Sequence, residues 1–216
     1  AGAAMFFLLC RELLGLASGL DAEKPELSLA AAFAALVFAL HPLRVESVSW
    51  LSGRHDLLST LFYCWSALAY LRARREGAAP GLWSGHMLPL ALFLLALLAK
   101  GTAVTLPLAL LLLDVYPLRR LPADPRLWLN AGNRGALLEK LPYLLLAALF
   151  GVIAFIGQDA AGALVPVGAF GFRARLVQAV YGLGFYPLKT LAPFGLSPLY
   201  RLPADIGPLD ARIIVP

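Results

Sequence analysis

Charge is scarce in this sequence. Asp, Glu, Lys and Arg together supply 14% of its 216 residues, against about a quarter in an ordinary soluble domain. Cysteine is scarcer still. Cys10 and Cys64 lie inside apolar runs and form no CxxC or other ligand spacing, so they read as small buried hydrophobes and leave the redox compartment open. No HExxH pair occurs, and His41, Glu46 and His55 match no metal-binding spacing, so no metal is expected. There is no Gly-x-Ser-x-Gly elbow, and Ser52, His55 and Asp56 are too close in sequence to fold into a catalytic triad. Lys100 followed by Gly101 and Thr102 has the wrong order for a phosphate-cradling Walker loop. No segment recurs at a period of 20–50 residues, which excludes a repeat array.

The net charge of +5 does not point to nucleic acid, because no basic face interleaved with aromatics is present. The arginines gather instead at the ends of apolar runs, as Arg72, Arg74 and Arg75, and again as Arg119, Arg120 and Arg126. That is the pattern of the positive-inside rule, so the basic excess reads as a topology signal.

Apolar residues fill the space left by the missing charge. They make up 60% of the chain, and the mean hydropathy is +0.77. Several runs approach the roughly 18–20 residues needed to cross about 30 Å of hydrocarbon. The fold class expected is all-α, a polytopic transmembrane helix bundle over residues 1–200, with residues 201–216 as a proline-rich tail or loop. The runs fall at residues 1–20, 27–40, 57–71, 87–99, 102–116, 140–157 and 176–192. Pro107 lies within the fifth and predicts a kink; Pro187 and Lys189 interrupt the seventh. Arg11 and Glu12 sit in the middle of the first run and require protein neighbours. The chain opens inside an apolar run without a basic leader, so it reads as a fragment.

Residues 41–56, HPLRVESVSWLSGRHD, break this oily pattern most sharply. Placing the arginine clusters in the cytoplasm puts this stretch on the outer face. The same orientation delivers Lys100 and the Gly-rich segment 158–175 to that face. Ionisable groups at a membrane mouth default to a functional reading; the alternative is an interfacial loop whose charges meet headgroups. The cations Arg44, Arg54, Lys100, Arg173 and Arg175 suit a phosphate or pyrophosphate headgroup. Glu46 or Asp56 could serve as a general base toward a hydroxyl, with His41 and His55 able to take either role. Asp56 is expected in the first turn of its helix, where the macrodipole favours its ionised form; simple capping explains that position equally well. Lys100 has a plainer reading as a snorkelling span end, and Trp50, Trp83 and Tyr116 read as interface-belt aromatics.

Residues 34–63, AALVFALHPLRVESVSWLSGRHDLLSTLFY, resemble a signature of the transmembrane-and-tetratricopeptide-repeat O-mannosyltransferases and their bacterial relatives. Residues 97–120, LLAKGTAVTLPLALLLLDVYPLRR, are similar to the family's Lys-containing span, with Lys-Gly where the family has Lys-Pro. Residues 139–158 resemble the span that follows, and Arg175, Tyr186, Lys189, Pro193, Leu196 and Tyr200 match the spacing of the next. The resemblance implies a GT-C-type glycosyltransferase bundle with its site on the periplasmic or lumenal face of a bacterial inner membrane or endoplasmic reticulum membrane. It implies a polyprenyl-phosphate sugar as donor, mannose in the usual case, no separate cofactor, and Ser or Thr hydroxyls of proteins as acceptors. Asp56, Glu46 and His41 become catalytic candidates, and Arg44, Arg54, Lys100, Arg173 and Arg175 candidates for the lipid phosphate. It also implies an acidic pair upstream of residue 1 and tetratricopeptide repeats downstream. Transfer to a glycan or lipid, or a non-catalytic membrane anchor, are the alternatives.

Overall fold

The computed structural model describes residues 1–20, 24–50, 53–75, 85–130, 132–163 and 171–197, apart from the side chains of Glu46, Arg173 and Ala174. Among these residues the secondary structure is helix and turn, with no strand. They belong to two compact units, Ala1–Phe155 and Ile156–Pro216. The expected tail, 201–216, lies outside the described residues.

In the first unit α1 (Gly2–Ser18) ends on Gly19, whose φ of 67° a side-chain-bearing residue adopts only with strain. Helix α2 (Pro25–Leu40) begins with Pro at its first position and Glu26 in its first turn, both favourable at a helix start. The expected mouth loop is itself largely helical. A 3-10 turn over Pro42–Arg44 leads into α3 (Val45–Ser49), and α4 (Arg54–Arg75) already includes Arg54, His55 and Asp56. Asp56 occupies the first turn, where the sequence put it.

Helix α4 is the axis of the unit, packing against α1, α5 (Met87–Ala99) and α6 (Leu106–Val115). Small polar residues allow the closest approach: Ser59 Oγ donates to the Ala96 carbonyl at 3.2 Å and Ser66 Oγ to the Pro89 carbonyl at 2.6 Å. These bonds join the start of α4 to the end of α5 and its far part to the start of α5, so the two run antiparallel. Leu68, Phe93, Leu97, Leu106 and Tyr143 form the heart of the core.

The expected kink at Pro107 does not occur. Residues 101–116 are not one helix: Gly101–Thr105 forms a 3-10 turn, and Pro107 lies in the first turn of α6, where its missing N–H removes no helical bond. A short helix α7 (Arg134–Leu138) precedes α8 (Leu141–Ala160), and together they extend over Arg134–Ala160. Among the described residues this 27-residue span is the one helix long and apolar enough to cross a membrane. A second is added if α2 and Pro42–Ser49, bent by 57°, form one broken span. The sequence counted seven runs. The difference is length: α5, at 13 residues, covers only about 20 Å, and Lys100 separates it from the turn and helix that follow.

Most of α8 faces outward with Leu145, Leu149, Val152 and Phe155 exposed, and α2 exposes Leu29, Phe33, Leu36 and Leu40. In the second unit α9 (Phe172–Leu191) continues through Pro187. Arg173 and Arg175 therefore lie in its first turn rather than in the Gly-rich loop that the sequence led us to expect.

Candidate functional site

At the Asp56 end of α4, the Lys100 ammonium donates to Asp56 Oδ1. The two residues come from different helical segments: Asp56 from the first turn of α4, Lys100 from the break after α5. Lys100 takes an extended φ of −157° there, ending α5 so that its side chain returns to α4. The His55 ring lies beside the pair, with Nε2 3.8 Å from Asp56 Oδ2. The Lys100 side chain is 35% exposed and that of Asp56 27%, so the pair is open to a ligand.

Not every residue from the expected mouth joins this pair. Arg44 lays its guanidinium over the Phe38 ring at 4.0 Å, a cation–π contact that anchors it to the end of α2. His41 Nδ1 accepts the Leu43 N–H at 3.2 Å and caps the 3-10 turn. Arg54 is exposed at the start of α4. Glu46 is in α3 and Arg173 in α9, with side chains outside the described set. Arg175 is an exposed residue of the second unit.

Directly beyond the pair lies a cleft of about 220 Å³ lined by Ser59, Thr60, Tyr63, Thr102, Ala103 and Thr105. Asp56, Thr60 and Tyr63 are four and seven residues apart on α4, so they share one helix face. Thr105 Oγ1 lies 3.3 Å from the Thr102 carbonyl and 3.4 Å from Tyr63 Oη, within hydrogen-bond reach of both, tying the two walls together. Thr102 and Thr105 are exposed, whereas Ser59 is buried against α5.

A second polar layer occupies the other end of α4, and the sequence reading did not foresee it. Tyr70 Oη donates to Asp114 at 2.8 Å, Lys140 Nζ reaches Asp114 Oδ2 at 2.5 Å, and Arg120 Nη1 lies 3.2 Å from Asp114 Oδ1. Arg120 also meets Glu139 at 2.8 Å, as does Arg74 at 3.3 Å. His86 completes the group, with Nε2 3.6 Å from Glu139 Oε2. The Lys140–Asp114 pair at its centre is closed, the Asp114 side chain being 0% exposed and that of Lys140 4%, whereas Arg120 reaches the edge. Arg120, in the loop after α6, is partly buried, which disfavours its charge. Hydrogen bonding to Glu139 and the field of Asp114 outweigh that cost and raise its pKa.

The arginines taken as plain topology markers are thus in part structural. Arg74 and Arg120 are held by carboxylates, and Arg75 bonds Glu12 at 3.0 Å with Arg72 4.0 Å away. That contact also supplies the protein neighbour that Glu12 required in the middle of α1. The sequence signal was present: one acid, Asp114, and one base, Lys140, stand at the edges of two otherwise apolar segments.

Part of the chain is similar to a class of glycosyl-transferring enzymes, the protein O-mannosyl-transferases. Over 79 residues it is 39% identical to human protein O-mannosyl-transferase TMTC4, covering 35% of this chain and 11% of that protein. Over 90 residues it is 34% identical to human protein O-mannosyl-transferase TMTC1, covering 39% and 10%. Over 84 residues it is 38% identical to Drosophila melanogaster protein O-mannosyl-transferase Tmtc2, covering 38% and 9%. The matches span about a tenth of the length of these relatives. No protein-family model and no solved structure matches the chain.

Proposed function

We propose that the chain is the donor-binding part of a multi-pass membrane glycosyltransferase of GT-C type. In this reading it moves a sugar, mannose in the first instance, from a polyprenyl phosphate to Ser or Thr hydroxyls of proteins at the periplasmic or lumenal face. The observation that carries the reading is the partial identity with several protein O-mannosyl-transferases. The open Lys100–Asp56 pair supports it, because a site for a lipid-borne phosphate needs an accessible cation. So do the apolar faces of α2 and α8, which would be costly in water and favourable against acyl chains. The bilayer, the donor lipid and the acceptor protein are the partners; no nucleic acid and no metal enters the reaction.

The proposed step is a direct displacement. A carboxylate takes the proton of the acceptor hydroxyl, whose oxygen forms a bond to the anomeric carbon. The bond from that carbon to the phosphate oxygen breaks, and its electron pair leaves on polyprenyl phosphate, stabilised by cations. Lys100 is the nearest cation to that role. A phosphate at Lys100 would compete with Asp56 for the ammonium, leaving the Asp56 carboxylate available to a proton. Glu46 and His41 are the remaining catalytic candidates, and Arg44, Arg54, Arg173 and Arg175 the remaining phosphate ligands.

The test is mannosyl transfer from polyprenyl-phosphate mannose to a Ser/Thr peptide by the full-length protein in vesicles. Mannosyl-peptide is the expected product, and Lys100→Met or Asp56→Asn is expected to lower its rate about a hundredfold or more. Undiminished transfer by both variants would remove the pair from the mechanism; product found only on a glycan or lipid would replace the protein acceptor.

A further inference from the structure

The geometry points to the cleft between α4 and the Gly101–Thr105 turn as a subsite for one uncharged pyranose ring. This inference rests on the proposed function, and it adds which part of the donor is recognised by which residues. The lining is unusual for a cleft at the edge of an apolar bundle. It offers hydroxyls from Thr60, Tyr63, Thr102 and Thr105, and no ionised side chain contributes to its wall. The charges stand one helical turn away, at Asp56 and Lys100.

Separation of charge from hydroxyls divides the ligand the same way. A phosphate oxygen gains most from an ammonium, whose charge-assisted bond is about twice as strong as a neutral one. A sugar hydroxyl, both donor and acceptor, is matched by side-chain hydroxyls, which can also play either part. The Tyr63 ring adds an apolar face against which the C–H side of a pyranose can lie. The volume of about 220 Å³ is below the roughly 300–1,000 Å³ of sites for drug-sized ligands, and suits a single ring rather than an oligosaccharide. A neutral ring fits this lining better than a uronic acid, whose carboxylate finds no cation in the wall to pair it.

The distance along the chain fits a sugar joined directly to a phosphate. Asp56 and Thr60 are separated by one turn of α4, about 6 Å in rise. A phosphate at Lys100 therefore leaves its attached ring at the level of Thr60 and Thr102.

The experiment is equilibrium binding of polyprenyl phosphate and of polyprenyl-phosphate mannose to the full chain in lipid nanodiscs. Thr60→Val and Thr102→Val keep side-chain volume and remove the hydroxyls. The double variant is expected to bind polyprenyl-phosphate mannose about tenfold more weakly, while polyprenyl phosphate binds as before, which also shows that the fold is retained. Lys100→Met is expected to weaken both ligands. Equal loss of both ligands in the double variant, or no loss of either, overturns the sugar subsite while leaving the donor reading intact. If the unaltered chain binds neither lipid, the donor reading fails and takes the subsite with it. A polyprenyl-phosphate uronic acid that binds as tightly as the mannose lipid overturns the selectivity for a neutral ring.

Discussion

Two lysines in this chain make the same chemical contact, an ammonium against an aspartate, with opposite consequences. Lys140 and Asp114 are closed off from solvent and share Tyr70, while Arg120 makes a further bond to Asp114. Lys100 and Asp56 are part exposed and flanked by a single histidine. A closed pair holds structure, because removing one partner strands the other charge without water. Asp114→Asn is expected to destabilise the bundle by about 3–5 kcal/mol, read as a fall in unfolding temperature in detergent. The double change Asp114→Leu with Lys140→Leu is expected to recover part of that loss, since neither charge remains unpaired. An unfolding temperature unmoved by Asp114→Asn would show that the layer contributes nothing. The open pair, by contrast, can exchange partners when an anion arrives.

At the scale of elements, α4 carries Asp56 at its start and Arg74 near its end, and α5 returns from His86 to Lys100. If both cross the bilayer, the two polar layers face opposite compartments. In a background with Cys10 and Cys64 replaced, Arg54→Cys and Arg126→Cys are expected to react with a membrane-impermeant thiol reagent from opposite sides of sealed vesicles. Labelling of both from one side would reduce these helices to a hairpin that does not span.

The legible elements are those whose ends are marked by charge. Helix α5 coincides with its apolar run, since His86 and Lys100 bound it. Asp56 was placed in a first turn by its position between Arg54 and an apolar run. The fifth run was misread because an apolar string carries no mark of a 3-10 turn; only Pro107 hinted at a helix start, and a kink reads the same way. The start of α9 was missed because Phe172 and Arg173 follow a Gly-rich stretch with no capping residue. The hydroxyl cleft was invisible for another reason: its two walls are some forty residues apart, and Ser and Thr are too common in apolar helices to stand out.

Across the whole molecule, the polar layers of α4 are separated by a fixed length of rod. From Asp56 to Tyr70 is about 21 Å and to Arg74 about 27 Å, while the hydrocarbon of an average membrane is about 30 Å thick. If α4 crosses a bilayer, the bundle acts as a gauge. In thicker, sterol-rich membranes of about 32–33 Å one of its charged ends would then be drawn inward, whereas a core near 27 Å, as in the endoplasmic reticulum, would match it. Unfolding temperatures in phosphatidylcholine nanodiscs of increasing acyl length are expected to peak among the shorter chains; a steady rise toward the longest would show that no such match exists. The same ionic clasps that fasten the helices together would then also sort the protein among compartments, by the cost of stretching or squeezing the lipid around it.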